Sequence, residues 1–196
     1  MIKIRINGRG GQGGVTASGV LSSMMMAHSP ADKDKYPYVM SCPDFGPERR
    51  GAPVSAYIRL DMKPIRELAQ FPDPDMVIVF DGSLAMSTNV ANGLAKGGLL
   101  LINSKKLPAD FAMYTERFRV FSVDAEAIAV ECGLGTKTSP IVSTALLGAF
   151  MRASKLATLD SLLEYIEKGI SKKTDANKRA ARFGYDLVRA FKGEWM

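Results

Sequence analysis

The glycine-rich segment near the amino terminus is the part of this sequence best suited to hold a ligand. Gly8, Gly10 and Gly13 have the spacing G-x-G-x-x-G, after an alternating apolar run and before a helical pattern. Glycine permits positive φ, and a turn that leads into a helix directs backbone N–H groups at an anion. We therefore predict that Gly10, Gly11, Gln12 and Gly13 form a cofactor-binding turn.

Dinucleotide binding is a weaker interpretation of these glycines, and a tight turn that packs a helix on a sheet is the simpler one. A dinucleotide site needs an acidic residue about 20 positions later, at the end of a second strand, to bind a ribose. Asp32 and Asp34 are the candidates, and both lie in a polar stretch typical of a loop. Because an acid–base pair is also missing, we disfavour an independent nucleotide-binding dehydrogenase.

A second candidate site lies in a loop predicted over residues 42–53, where prolines and glycines oppose regular structure. It carries Arg49 and Arg50, whose planar guanidinium groups suit a phosphate or a carboxylate. A solvated arginine pair in a stiff turn is the alternative.

Asp81 and Ser83 follow a buried strand and could contact a ligand at the edge of the sheet. Capping of the next helix is a simpler explanation for these two residues.

Composition limits the classes of function. The 196 residues, 46% of them hydrophobic, suffice for one domain with one core. Cys42 and Cys132 lie far apart without a CxxC pair, which excludes an iron–sulfur cluster or a structural zinc site built by this chain alone. The net charge of +6 is dispersed and favours anionic cofactors or acidic partner subunits over nucleic acid. The lone His28 is expected at the surface. Because neither a membrane span nor a signal peptide is evident in the sequence, we expect a cytoplasmic protein.

The elements that must position these candidates alternate between strands and helices. Strands are predicted over residues 2–7, 36–41, 54–60, 76–80, 99–103 and 119–123. Helices are predicted over residues 15–27, 87–94, 125–132, 140–150, 159–170 and 174–191, the last with an apolar stripe of Ala176, Ala180, Phe183, Leu187 and Phe191. The pattern indicates an α/β fold: a single Rossmann-like domain over residues 1–196, with a mainly parallel sheet flanked by helices and a helical C-terminal part.

Several of these segments together resemble one protein family. They are the glycine turn at 8–13, the loop at 45–53, the strand at 77–79, the small-residue stretch at 144–149, and the terminal run 176–180 followed by Gly184 and Tyr185. In this order, and over nearly the whole chain, they resemble the gamma subunit of 2-oxoacid:acceptor oxidoreductases, the pyruvate:ferredoxin oxidoreductase group. A longer polar insertion around residues 27–40 departs from the family pattern.

The resemblance implies a multi-subunit enzyme that decarboxylates a 2-oxoacid on thiamine diphosphate, passes electrons through iron–sulfur clusters to ferredoxin or NAD, and forms an acyl-coenzyme A. It implies alpha and beta subunits that bind thiamine diphosphate and magnesium, an iron–sulfur delta subunit and, with NAD as acceptor, a flavoprotein subunit. This chain would hold no metal and no catalytic residue, and would be inactive alone. Phe80-Asp81-Gly82 lacks the first glycine of a thiamine-binding Gly-Asp-Gly motif.

Within that complex, the resemblance implies that this subunit helps to enclose the active site and coenzyme A. Carried onto this chain, the candidate contacts are the backbone at 10–13 and the side chains of Arg49 and Arg50. A purely structural assembly subunit, whose turn and arginine loop only form interfaces, is the competing interpretation. The identity of the 2-oxoacid cannot be inferred, because its pocket belongs to the thiamine-binding chains.

Overall fold

The protein forms an α/β domain around one large sheet. The structure, a computed structural model, describes residues 1–27, 36–44, 51–87 and 89–191. The strands of the main sheet are β1 (Ile2–Arg9), β2 (Tyr38–Asp44), β3 (Pro53–Asp61), β4 (Met76–Val79), β5 (Leu99–Asn103), β6 (Arg119–Val123) and β9 (Arg189–Ala190). Their spatial order is β2-β3-β1-β4-β5-β6-β9. The central strands β1, β4, β5 and β6 are parallel, whereas β2, β3 and β9 pair antiparallel at the edges. The predicted fold class, with a mostly parallel central sheet, is confirmed.

Helices cover both faces of the sheet. They are α1 (Gly14–Ala27), α2 (Gly82–Ser87), α3 (Ala112–Thr115), α4 (Ala125–Glu131), α5 (Ser143–Ser154), α6 (Leu159–Gly169) and α7 (Thr174–Leu187). A 3₁₀ turn (Pro108–Phe111) precedes α3, and a small ribbon of β7 (Gly135–Thr136) and β8 (Ser139–Pro140) precedes α5. None of the helices in the described ranges is long and apolar enough to cross a membrane.

The sheet separates two hydrophobic clusters, because successive residues of a strand point to opposite faces. On the first face, Ile78 and Leu101 pack with α1 and the C-terminal helices. On the second face, Val77, Val79 and Leu100 pack with a layer formed by residues 84–118. The continuous apolar runs of β4 and β5 are thus explained by burial on both sides.

Strand β1 is apolar only on the first face. Ile4 and Ile6 are buried there, whereas Arg5 and Asn7 point to the second face. Arg5 is only 9% exposed, and its Nη2 donates to the carbonyls of Val90 and Asn92 at 2.9 and 2.8 Å. The alternating residues of β1 therefore contact two different layers of the protein. The buried Arg5 guanidinium holds the loop at 89–94 in place through its two hydrogen bonds.

Helices α5 and α7 pack so closely that only glycine fits between them. A Cβ on Gly148 would lie 1.9 Å from the carbonyl oxygen of Ala181, and one on Gly184 would lie 1.9 Å from that of Ala145. Beside this contact the buried Asn177 links both helices. Its Oδ1 accepts from Thr144 Oγ1 at 3.0 Å, and its Nδ2 donates to backbone carbonyls at the start of α7. The small-residue stretch and the terminal motif noted in the sequence meet at this interface.

Two predicted elements differ in the structure for reasons of tertiary packing. The helix predicted over 87–94 is wrong: α2 lies earlier, at Gly82–Ser87, and turns follow at 90–93. Gly93 adopts φ +76° there, and a Cβ on it would overlap the carbonyl oxygen of Pro72. The loop predicted over 42–53 is too long, because β2 continues to Asp44 and β3 begins at Pro53, where each strand gains a partner.

The bounds of two other predicted helices also differ in the structure: the helix predicted over 140–150 begins and ends too early, since α5 runs over Ser143–Ser154, and the helix predicted over 174–191 is too long. Residues up to Pro140 belong to the β7–β8 ribbon, so α5 begins only at Ser143. Helix α7 ends at Leu187, because Val188 is extended and leads into β9, which pairs with β6. Leu187 is 57% exposed and therefore does not belong to the buried stripe that we expected.

Candidate functional site

The glycine turn lies at the carboxyl end of β1. Its shape is stabilised by hydrogen bonds between Gln12, within the turn, and the backbone of Arg9. Gly11 and Gly13 adopt φ values of +96° and +90°, which side-chain-bearing residues rarely adopt. Gln12 N donates to the carbonyl of Arg9 at 3.2 Å, and Gln12 Oε1 accepts from Arg9 N at 2.8 Å. The Gln12 carboxamide oxygen therefore stabilises the turn, which gives this predicted binding residue a structural task.

The start of α1 supplies backbone donors beside the turn. The first helical hydrogen bond recorded there runs from Ala17 N to the carbonyl of Gly13, at 2.9 Å. The N–H groups of Gly14, Val15 and Thr16 precede it and have no intrahelical acceptor, as is general for the first N–H groups of a helix. Together with the positive end of the helix dipole, they favour an anion at this point.

A second helix begins at the same place. A Cβ on Gly13 would lie 2.8 Å from Ser143 Oγ, so α5 starts directly against the glycine turn. Ser143 is almost fully buried, and its hydroxyl has no hydrogen-bond partner in the described part of the protein. Two helix N-termini thus converge next to an unsatisfied hydroxyl, which is an arrangement suited to a negatively charged group.

Ser143 is not among the candidate site residues predicted from the sequence. The only signal was a serine just after Pro140, at the start of an apolar stretch rich in small residues. Nothing in that pattern indicates that α5 starts beside Gly13, because the two positions are far apart in the chain.

An ion pair connects the turn to the end of β4. Arg9 Nε donates to Asp81 Oδ2 at 2.5 Å, and Arg9 Nη2 lies 3.5 Å from Ser83 Oγ. Asp81 Oδ1 accepts from Ser83 N and Ser83 Oγ at 2.9 and 2.6 Å, so Asp81 also caps α2. Burial alone would raise the pKa of Asp81, but the hydrogen bonds from Ser83 and Arg9 outweigh it and lower that pKa below its ordinary value. The predicted capping role is therefore present together with the ion pair.

The turn also contacts the end of the segment that carries the two arginines. Gly10 N donates to the carbonyl of Ala52 at 2.9 Å, and Gly51 N donates to the carbonyl of Gly10 at 3.1 Å. Arg9 Nη1 reaches the carbonyl of Gly51 at 3.2 Å. The backbone of Gly10 is therefore engaged within the chain. The predicted site residues Arg49 and Arg50 lie outside the described residues.

The dinucleotide interpretation meets a topological obstacle. In a dinucleotide-binding βαβ unit the strand after the first helix lies parallel beside β1. Here β2 follows α1, but β3 lies between β2 and β1 and is antiparallel to both. The end of β2 is thus displaced from the turn. Asp32, Asp34 and His28 lie outside the described residues.

The groups at this candidate site are suited to binding an anion. Backbone N–H groups, two helix N-termini and the Ser143 hydroxyl provide donors and positive potential for an anion. In the described part of the chain no group of His, Cys, Asp and Glu side chains is arranged to hold a metal ion. Cys42 and Cys132 are free thiols.

Comparison with known proteins identifies relatives over almost the full length. Residues 3–187 match the family described as pyruvate ferredoxin/flavodoxin oxidoreductase. The chain is 38% identical over 194 residues to the common subunit gamma of the pyruvate/ketoisovalerate oxidoreductases of Pyrococcus furiosus, covering 97% of this chain and 99% of that protein.

Solved structures agree with this assignment. The crystal structure of the pyruvate oxidoreductase subunit PORC from Thermotoga maritima is similar with a TM-score of 0.77 and 33% identity, over 96% of this chain and 97% of that one. A 2-oxoglutarate:ferredoxin oxidoreductase from Magnetococcus marinus, solved with 2-oxoglutarate, coenzyme A and succinyl-CoA, is similar with a TM-score of 0.69. At 16% identity, over 95% of this chain and 30% of that one, it shows a common fold only.

Proposed function

This chain belongs to the pyruvate ferredoxin/flavodoxin oxidoreductase family, and from that premise we propose that it works as a gamma subunit that helps to enclose coenzyme A in a partner's active site. The reaction is the oxidative decarboxylation of a 2-oxoacid to its acyl-coenzyme A. Thiamine diphosphate, magnesium and iron–sulfur clusters belong to alpha, beta and delta subunits. These cofactors supply the carbanion and electron-transfer chemistry. This chain supplies groups that bind coenzyme A and keep water out of the site.

The observation that carries the coenzyme A part of the proposal is the buried Ser143 hydroxyl at the junction of two helix N-termini. Coenzyme A carries phosphate groups, and phosphate is the ligand that such donors favour. Gly11 and Gly13 let the backbone approach it closely, and the ion pair of Arg9 with Asp81 holds the turn in place beside it. Arg49 and Arg50, which precede Gly51 in the sequence, are proposed as further phosphate contacts.

A purely structural assembly subunit is the second candidate, and one observation favours it. The backbone N–H and C=O of Gly10, and the backbone N–H and side-chain oxygen of Gln12, form hydrogen bonds within the chain, as expected for a turn that only supports an interface. The two candidates differ in what Ser143→Ala does to the assembled complex. A structural subunit predicts an unchanged affinity for coenzyme A, whereas the proposed binding role predicts a weaker one.

Reconstitution tests the subunit proposal itself. The partner subunits are prepared with and without this chain, and coenzyme A-dependent oxidation of pyruvate and other 2-oxoacids is measured with a dye acceptor. We expect activity only when the chain is present, and none from the chain alone. Full activity of the partners without this chain, or turnover by the isolated chain, would contradict the proposal.

A further inference from the structure

We propose that a groove between the loop at 89–94 and α3 is a docking surface for another subunit of the complex. We further propose that it receives a peptide segment that presents a carboxylate beside large apolar side chains. The inference rests on the proposed function, because it requires partner subunits. The groove encloses about 580 Å³, and no residue of the glycine turn lines it.

The walls of the groove expose apolar surface. Met86 on α2 and Met113 on α3 are 59% and 66% exposed, and both line the groove with the buried rings of Tyr114 and Phe118. Methionine side chains are flexible and polarisable, so they adapt to apolar partners. Two such side chains around one concave aromatic surface are typical of a surface that is covered in the assembled protein.

A cation in the groove determines the charge of the partner. The Arg117 guanidinium lies 5.5 Å from the centroid of the Phe118 ring. No carboxylate in the described ranges forms an ion pair with it. An arginine stacked on an aromatic ring keeps its planar fork of donors available for a bidentate carboxylate. An acidic side chain of the partner is the complementary group.

Two carboxamides indicate that the partner group is a peptide segment. The exposed side chains of Asn89 and Asn92 line the groove and make no hydrogen bond within the described residues. Each carboxamide offers both donors and an acceptor, which matches the alternating N–H and C=O groups of a main chain. The half-open groove therefore has a polar edge for a backbone, an apolar floor for side chains and one cation for a carboxylate.

The groove is held in shape before any partner binds. Arg5 donates to the carbonyls of Val90 and Asn92 from beneath the loop, and Gly93 fits tightly against the Pro72 carbonyl. On the opposite wall, Tyr114 Oη donates to the carbonyl of Ala85 at 3.1 Å. A preformed site loses little conformational entropy on binding, which favours a stable interface.

Assembly measurements on charge-reversed and apolar-to-acidic variants test the docking surface. The tagged chain is co-expressed with its partner subunits, and their recovery is quantified for Arg117→Glu and Met113→Asp. We expect each variant to recover at least about tenfold less partner, because both sites would be desolvated at the interface core. The matched controls Arg182→Glu and Leu68→Asp alter an exposed arginine on α7 and a side chain that is 68% exposed, and should assemble normally.

A photo-crosslinker at position 113 identifies the occupant in the intact complex. We expect it to join a partner segment that contains Asp or Glu, and replacement of that carboxylate by lysine should restore assembly of Arg117→Glu. Normal partner recovery by both groove variants, or a crosslink to a segment without a carboxylate, would overturn the docking surface alone. If the unsubstituted chain recovers no partner, the subunit proposal fails as well. Unchanged melting temperatures of the variants exclude misfolding as the cause of lost assembly.

Discussion

Replacing Gly148 by alanine tests the close packing of α5 on α7. Helix propensity alone predicts that alanine stabilises a helix by about 1 kcal/mol over glycine. Here, however, the new Cβ would lie 1.9 Å from the carbonyl oxygen of Ala181, where ordinary contact begins at 3.4 Å. The helices would have to separate by about 1.5 Å, and overpacking of this kind costs roughly 1–3 kcal/mol or more. We expect a net loss of about 2 kcal/mol, or roughly 4–8 °C in Tm for a chain of this size.

Gly19→Ala is the matched control for this substitution. Gly19 also lies inside a helix, but a Cβ there would meet nothing within 4 Å. Only the propensity term remains, so Tm should rise by a few degrees, corresponding to about 1 kcal/mol. Both variants are compared by calorimetry and by urea unfolding at pH 7. If Gly148→Ala raises Tm as much as Gly19→Ala does, the proposed reason for glycine between α5 and α7 is wrong.

Three further variants test buried and half-buried polar groups. Asn177→Ala should lower the free energy of unfolding by about 2–3 kcal/mol, because Thr144 Oγ1 loses its acceptor; an unchanged urea midpoint would refute this. The folded-state pKa of Asp81 lies below its ordinary value, so its carboxylate stabilises the protein at neutral pH, and this stability is lost as pH falls through that pKa. Asp81→Asn should therefore destabilise at pH 7, and its difference from wild type should shrink below about pH 4; a difference independent of pH would contradict the ion pair with Arg9. Ser143→Ala removes a hydroxyl without a partner, so Tm of the isolated chain should stay constant or rise; a clear drop in Tm would indicate a hydrogen bond that the structure lacks.

The sequence predicts well those features that depend on neighbouring residues. The alternation of Ile4, Arg5 and Ile6 identifies β1 and its two faces, and the glycine spacing identifies the turn and the helix after it. The apolar runs of β4 and β5 identify strands that are buried on both faces. In each case the physical signal is local: a period of two, a run of apolar residues, or glycine where φ is positive.

Features that depend on contacts between distant residues could not be predicted in the same way. Arg9 is one position of the glycine motif, and only the parallel pairing of β1 with β4 brings it to Asp81. Likewise, Ser143 becomes a candidate site residue only because α5 starts against Gly13. The turns at 90–93, where the sequence pattern predicts a helix, include Gly93 packed on the Pro72 carbonyl, a contact that no local pattern encodes.

The steady-state KM for coenzyme A tests the central claim most directly. It is measured on the assembled complex with wild-type chain and with Arg49→Ala and Arg50→Ala, at saturating 2-oxoacid, alongside thiamine content and partner recovery. If this chain contributes a binding wall to a partner's catalytic centre, the KM for coenzyme A rises severalfold while thiamine content and assembly stay unchanged. An unchanged KM in complexes that carry both substitutions would contradict a role of these arginines in coenzyme A binding, and an unchanged KM with Ser143→Ala as well would leave the chain as an assembly subunit.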